Sequence, residues 1–167
     1  DALGGAINII TKQEKKNYLD VSYGIGSFHT HKADLNAQFV EPKTGLIIRP
    51  TVGVNYSKND YRMKDVQMRD ESGDNFIYGN PKRFHDDYFS LLGQIEVGVA
   101  NKSWADAFFV SASYSKTDKE LQTGSVQDKV YGMAEKNSDA WNISAHYQKR
   151  NFILKNMQLN AALSHTW

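Results

Sequence analysis

The chain has 167 residues, enough for one domain with a sizeable core or for a slice of something longer. Twenty Lys and Arg against 19 Asp and Glu leave a formal charge of +1, so the charge balance proposes neither nucleic acid nor an acidic partner. The lack of cysteine excludes disulfides, thiolate metal sites and cysteine nucleophiles, and a mean hydropathy of −0.59 with no long apolar run excludes a membrane-spanning helix but not a barrel.

Residues 1–12 read DALGGAINIITK, an apolar run from Ala6 to Ile10 behind the pair Gly4-Gly5. No targeting segment precedes it, and the other end stops inside an alternating pattern at Ser164-His165-Thr166-Trp167, so both ends are expected to be cut from a longer chain. A charged linker follows at 13–17. Over 18–28, Leu19, Val21, Tyr23 and Ile25 share one parity and Asp20, Ser22, Gly24 and Gly26 the other, which predicts a strand with one apolar face. The same period predicts strands at 30–40, 46–57, 87–100, 105–115, 139–149 and 157–167, seven in all. Pro50 interrupts the third, where a bulge is expected.

The connections alternate in length. After a tight bend at Gly26-Ser27-Phe28-His29 they run short at 41–45, long at 58–86, short at 101–104, long at 116–138 and short at 150–156. Long loops therefore gather at one end of the predicted sheet and tight turns at the other, as in up-and-down outer-membrane barrels. The mid-strand ions Asp20, Lys32, Asp34, Arg49 and Glu96 all take the polar parity, while Asp87 and Asp106 depart from it at strand ends. On the apolar parity, Tyr56, Phe89, Tyr114 and Trp141 fall at the long-loop end and Phe39, Phe108 and Tyr147 at the short-turn end, the two aromatic girdles expected of spanning strands. A soluble antiparallel fold also hides one face, so alternation alone does not separate it from a membrane barrel.

The run Asp1 to Lys12, followed by a charged linker and a membrane-type strand, resembles the plug-to-barrel junction of TonB-dependent outer-membrane receptors, and GGAINIITK is more similar to the siderophore, haem and cobalamin receptors than to the glycan importers. The resemblance implies an all-β, antiparallel up-and-down membrane barrel segment: the end of a plug domain at 1–12, a linker at 13–17, and the first seven strands of a larger plugged barrel at 18–167. It further implies a place in the bacterial outer membrane, energised uptake of a scarce nutrient, and contact with TonB through a segment outside this sequence. The partners are then TonB, a small-molecule nutrient and the lipid bilayer, with no nucleic acid. Gly4, Gly5 and Asn8 mark the plug–barrel junction, where glycine permits φ > 0 and close approach to the wall. The alternatives are a passive porin-like barrel and a soluble carbohydrate- or ligand-binding β-domain.

Ligand capture falls to the loops. Tyr61, Arg62, Lys64, Arg69, Phe76, Tyr78, Arg83 and His85 mix cations with aromatics, which suits an anionic, ring-bearing ligand; a solvated loop is the competing account of any one of them. His29 and His31 share a parity and could pair on a metal or haem iron, although a tight polar loop is the preferred account. The run Asp70-Glu71-Ser72-Gly73-Asp74 lacks EF-hand spacing and reads as a turn, and no spacing makes Met63, Met68 and His85 a copper site. No metal site, cofactor or catalytic residue is expected, since GIGSFH lacks the third glycine of a dinucleotide loop and no GxSxG, HExxH or Walker sequence occurs.

Overall fold

A computed structural model describes residues 16–124, 127 and 129–167, so Gly4, Gly5 and Asn8 lie outside the described residues. The chain is all-β, with no helix among those residues. Seven strands form one antiparallel sheet in the order β1 (Tyr18–Gly26), β2 (Thr30–Val40), β3 (Leu46–Ser57), β6 (Tyr88–Ala100), β7 (Ala107–Glu120), β8 (Glu135–Arg150) and β9 (Gln158–Thr166). Between β3 and β6 a separate two-stranded ribbon pairs β4 (Val66–Arg69) with β5 (Phe76–Gly79).

Within the sheet each strand pairs with the sheet strand before and after it in the chain, β3 passing over the ribbon to β6, and the register keeps the two-residue period in phase from edge to edge. Asp20, Asn36, Thr51, Gln94, Ser113, Asn142 and Thr166 lie side by side across all seven strands, a wholly polar row. A row of the opposite parity runs Phe39, Ile48, Val97, Val110, Ala145, Leu163. A slip of one residue at any pair would exchange these faces for every strand beyond it. The apolar face is nonetheless open: Ile25 is 74% exposed, Ile95 48%, Ile143 48% and Leu163 75%.

The buried apolar side chains sit mostly at the short-turn end and on the polar parity. Ile47, Ala100, Ala107 and Phe109 form a cluster against which Val40 packs, and the Arg49 guanidinium lies 4.7 Å above the Phe109 ring. Gly98 is what admits that ring. Its position faces both Ile47 and Phe109 in the register, and a Cβ there would meet the Phe108 carbonyl oxygen and the ring itself. Arg49 Nη1 donates to Glu96 Oε1 at 2.6 Å and Arg49 Nε to Gln38 Oε1 at 2.7 Å. Gln38 Nε2 in turn donates to the Lys16 carbonyl at 2.8 Å, so the chain enters β1 from the polar side of the sheet.

Four details differ from the sequence reading. No bulge forms at Pro50: the β2–β3 ladder is interrupted between Asn36–Thr51 and Phe39–Ile48 and resumes in the same phase, while the β3–β6 ladder runs through Pro50–Ile95 unbroken. A missing N–H removes a bond, and nothing in that loss requires an extra residue. The β7–β8 hairpin extends to Glu120 and back from Glu135, beyond the predicted ends, because its outer rungs are charged and carry no apolar alternation. The ribbon β4–β5 was not predicted; four residues are too few to show a period. Phe28 and His29 carry φ of +60° and +56°, so the first bend places two non-glycine residues in the left-handed region.

Gly98→Ala is expected to lower stability by about 1–3 kcal/mol, the usual range for overpacking. The check is the denaturant midpoint of folded protein, and an unchanged midpoint would show that Phe109 does not depend on the gap.

Candidate functional site

The two long connections fold against one another at the same end of the sheet. Arg83 and Asp86, 9% and 8% exposed, form an ion pair with Nε 2.8 Å from Oδ2; that N–H does not point at the oxygen, so the contact is Coulombic rather than a hydrogen bond. Lys119 Nζ reaches Asp86 Oδ1 at 2.5 Å and its carbonyl at 2.6 Å. Gln122, 3% exposed, accepts the Phe84 N–H at 2.7 Å and the His85 N–H at 3.3 Å. His85 Nε2 is 3.0 Å from the Ala134 carbonyl and Nδ1 3.4 Å from Glu120. Polar contacts between buried groups of the two loops fix one relative placement of them.

The first bend joins this assembly. The Lys58 N–H donates to the Phe28 carbonyl, the Phe28 ring meets Tyr61 edge-on at 5.6 Å, and Arg83 lies 5.7 Å from the same tyrosine ring. Lys82 Nζ is 2.7 Å from Asp60, which also stands 3.6 Å from His29 Nδ1. The Lys82 contact, then the charges of Lys82, His29 and Lys58, hold the Asp60 carboxyl below the usual carboxylate range.

The ribbon carries the outermost groups. Its turn is organised by Asp70, whose carboxylate accepts from Ser72 Oγ at 2.7 Å, Asn75 Nδ2 at 2.9 Å and the Asp74 N–H at 3.1 Å. Those hydrogen bonds, from Asn75 first and then Ser72, pull the Asp70 carboxyl down to about 2 from the ordinary 3.8. Arg69 lies 4.1 Å over the Phe76 ring, and Phe76 and Tyr78 are exposed on the same side of the ribbon. Behind it a cavity of about 200 Å³ is lined by Met63, Met68, Pro81, Phe84 and Val130, with Arg69 and Lys82 also in its wall. A second, of about 340 Å³, lies against Tyr56, Phe89, Lys116, Asp118 and Glu120.

The predicted residues thus divide. Arg69, Phe76 and Tyr78 come together on the ribbon, with Lys64 exposed nearby in sequence; Arg62 donates to the Asn80 carbonyl at 3.3 Å. Arg83 and Tyr61 meet, while Arg83 and His85 are engaged at the loop junction. His29 and His31 have different neighbours: His29 faces Asp60, whereas His31 Nδ1 lies 2.6 Å from the Tyr23 hydroxyl, between the Tyr23 and Tyr56 rings on the apolar face. Asp86, Lys119, Glu120 and Gln122 were not singled out from sequence, since their partners are up to 38 residues away. Among the described residues no group of three or more His, Cys, Asp or Glu is placed to hold a metal. The open side of the assembly presents cations, aromatic faces and thioethers together. Searches of protein-family models, curated proteins and solved structures find no significant match to this chain.

Gln122→Ala removes the acceptor from two buried N–H groups and is expected to weaken loop docking by about 1–3 kcal/mol, with Gln122→Glu restoring it. Faster hydrogen exchange at the Phe84 and His85 amides checks this, and unchanged exchange would refute it. A second expectation concerns acid. Because the folded Asp70 carboxyl lies below its ordinary value, the turn's stabilisation is complete above 3.8 and is lost as the pH falls through about 2. Carboxyl chemical shifts of Asp70 against pH read this directly; titration at the ordinary value would remove the capping role.

Proposed function

We propose that the chain is part of a TonB-dependent outer-membrane receptor for energised uptake of a scarce nutrient of the iron–siderophore, haem or cobalamin class, with 1–12 ending a plug and the seven-stranded sheet forming consecutive wall strands of a larger barrel. The observation that carries this reading is the common phase of all six ladders, which gathers most of the exposed apolar side chains on one open face and the mid-strand ions Asp20, Lys32, Asp34, Arg49 and Glu96 on the other. Large exposed apolar surface of this kind needs a cover, and a bilayer is a continuous one.

Dimensions support the same reading. On the apolar face, Leu46 to Tyr56 lie against Phe89 to Val99, about 33 Å of strand at about 3.3 Å per residue, or about 25 Å of thickness at the usual tilt of spanning strands. Along β7 and β8 the same parity turns charged beyond Tyr114 and Trp141, at Lys116, Asp118 and Asp139, with Lys116 and Asp118 opposite Leu91 and Phe89 of β6, as expected where tilted strands emerge into water at staggered heights. The entry of the chain from the polar side, tied by Gln38 to the Lys16 carbonyl, suits a segment arriving from inside a barrel. The cation and aromatic groups of the long loops then serve ligand capture, with the GGAINIITK resemblance supplying the family.

Ile95→Arg, at the middle of the apolar face, is expected to destabilise the membrane-inserted protein by about 2–4 kcal/mol. An unchanged unfolding midpoint in detergent or lipid would refute the lipid-facing assignment. The function is tested by placing the full chain that carries these residues in cells with and without TonB and measuring uptake of radiolabelled ferric siderophores, haem and cobalamin. TonB-dependent accumulation of one class is the expected result; TonB-independent passage of all small solutes would indicate a passive barrel, and recovery in the aqueous fraction a soluble β-domain.

A further inference from the structure

Near the short connections the apolar face is notched. A cavity of about 160 Å³ is lined by Phe108, Tyr147 and Leu163 with Ala145 and Ala161 between them. The register explains the gap: Phe108, Tyr147 and Ala161 form one row and Val110, Ala145 and Leu163 the next, so the two alanines are diagonal neighbours framed by large side chains. Tyr147 donates its hydroxyl proton to the Trp104 carbonyl at 2.6 Å, and Trp104 meets Phe108 edge-on at 5.7 Å, which anchors the aromatic side of the notch.

Cations stand directly beside it. Lys149 shares the parity of Tyr147, Arg150 ends β8 on the opposite parity but reaches Asp106, and Lys155 follows in the turn. Lys149 Nζ donates to the Ser103 carbonyl at 2.8 Å and lies 3.9 Å from Asp106, whose other oxygen is 3.3 Å from Arg150 Nε. One carboxylate therefore faces two cations, and Lys155 adds a third positive charge in the turn that follows. The excess extends along this end of the sheet: segments 41–45, 101–106 and 149–157 hold five Lys and Arg against two Asp and Glu, whereas the long connection 58–87 holds six against seven.

We infer that this corner seats an anionic phospholipid, with an acyl chain in the notch and the phosphate beside Lys149, Arg150 and Lys155. The inference rests on the membrane reading of the apolar face and adds a specific lipid partner to it. An apolar slot that opens along the face takes a hydrocarbon chain, and the uncompensated positive charge at its end selects a headgroup of net negative charge over a zwitterion. Asp106, held below the usual carboxylate range by the Arg150 N–H and guanidinium, stays charged and leaves the corner net positive.

The test uses the full chain carrying these residues in neutral detergent, titrated with dioleoylphosphatidylglycerol or dioleoylphosphatidylcholine, with bound lipid counted by native mass spectrometry. Half-saturation is expected at about tenfold lower concentration for the anionic lipid. Replacing Lys149, Arg150 and Lys155 together by Gln is expected to abolish that preference, and Ala161→Leu, which fills the notch, to weaken both lipids. Heat-modifiable gel mobility checks that each variant is folded. Equal affinity for the two lipids, survival of the preference in the triple variant, or full displacement by inorganic phosphate would overturn the lipid seat. Micelle-bound protein without lipid preference would refute this seat alone, whereas a chain monomeric in water without detergent would refute the membrane reading and the seat with it.

Discussion

Side chains on a β-strand alternate, so the face of any strand is set by its register with the next, and a one-residue slip anywhere inverts everything beyond it. Six consecutive ladders here hold the same phase. From that agreement follow the polar row through Asp20 and Thr166, the apolar row through Phe39 and Leu163, and the segregation of Arg49 and Glu96 from the open face. Among the described residues the sheet is one layer thick with nothing packed on its apolar side, and the exposures of Ile25 and Leu163 reflect that. The open apolar face is thus a product of the register rather than of any single residue.

The loops obey a different constraint. Among the described residues the buried side chains of the long connections are polar, Arg83, Asp86 and Gln122, so their placement relies on polar contacts that cross chain separations of more than thirty residues. Arg83, Asp86, Lys119 and Gln122 join the long connections, and the first bend is drawn in through Phe28, Tyr61 and His29. Two left-handed non-glycine residues at 28 and 29 are locally unfavourable, and the Lys58 N–H and the Tyr61 ring are the contacts that compensate. Loop order and bend geometry are therefore one cooperative unit, which presents the ribbon with Arg69, Phe76 and Tyr78 outward.

The two ends of the sheet differ in chemistry as well as loop length. At the short-turn end Phe109 occupies the gap left by Gly98, Arg49 covers the ring, and cations predominate in the turns. At the other end carboxylates slightly outnumber cations, and cations there meet carboxylates, as Lys82 meets Asp60 and Lys119 meets Asp86.

Period and connection length are local properties, and they sufficed to place the strands of the sheet, the parity of the strand ions and the grouping of long loops at one end. Alternation at Leu19, Val21, Tyr23 and Ile25 is readable without neighbours because each residue's side depends only on its position along its own strand. The extension of β7 to Glu120, the ribbon at Val66–Arg69 and Phe76–Gly79, the unbulged ladder at Pro50 and the separation of His29 from His31 were not legible in that way. Each depends on what lies opposite: charged rungs that pair across a hairpin, a turn capped by Asp70, a neighbouring strand that keeps its phase, and rings from β1 and β3 that enclose His31. Only the tertiary structure supplies those partners, because their separation in sequence carries no periodic trace.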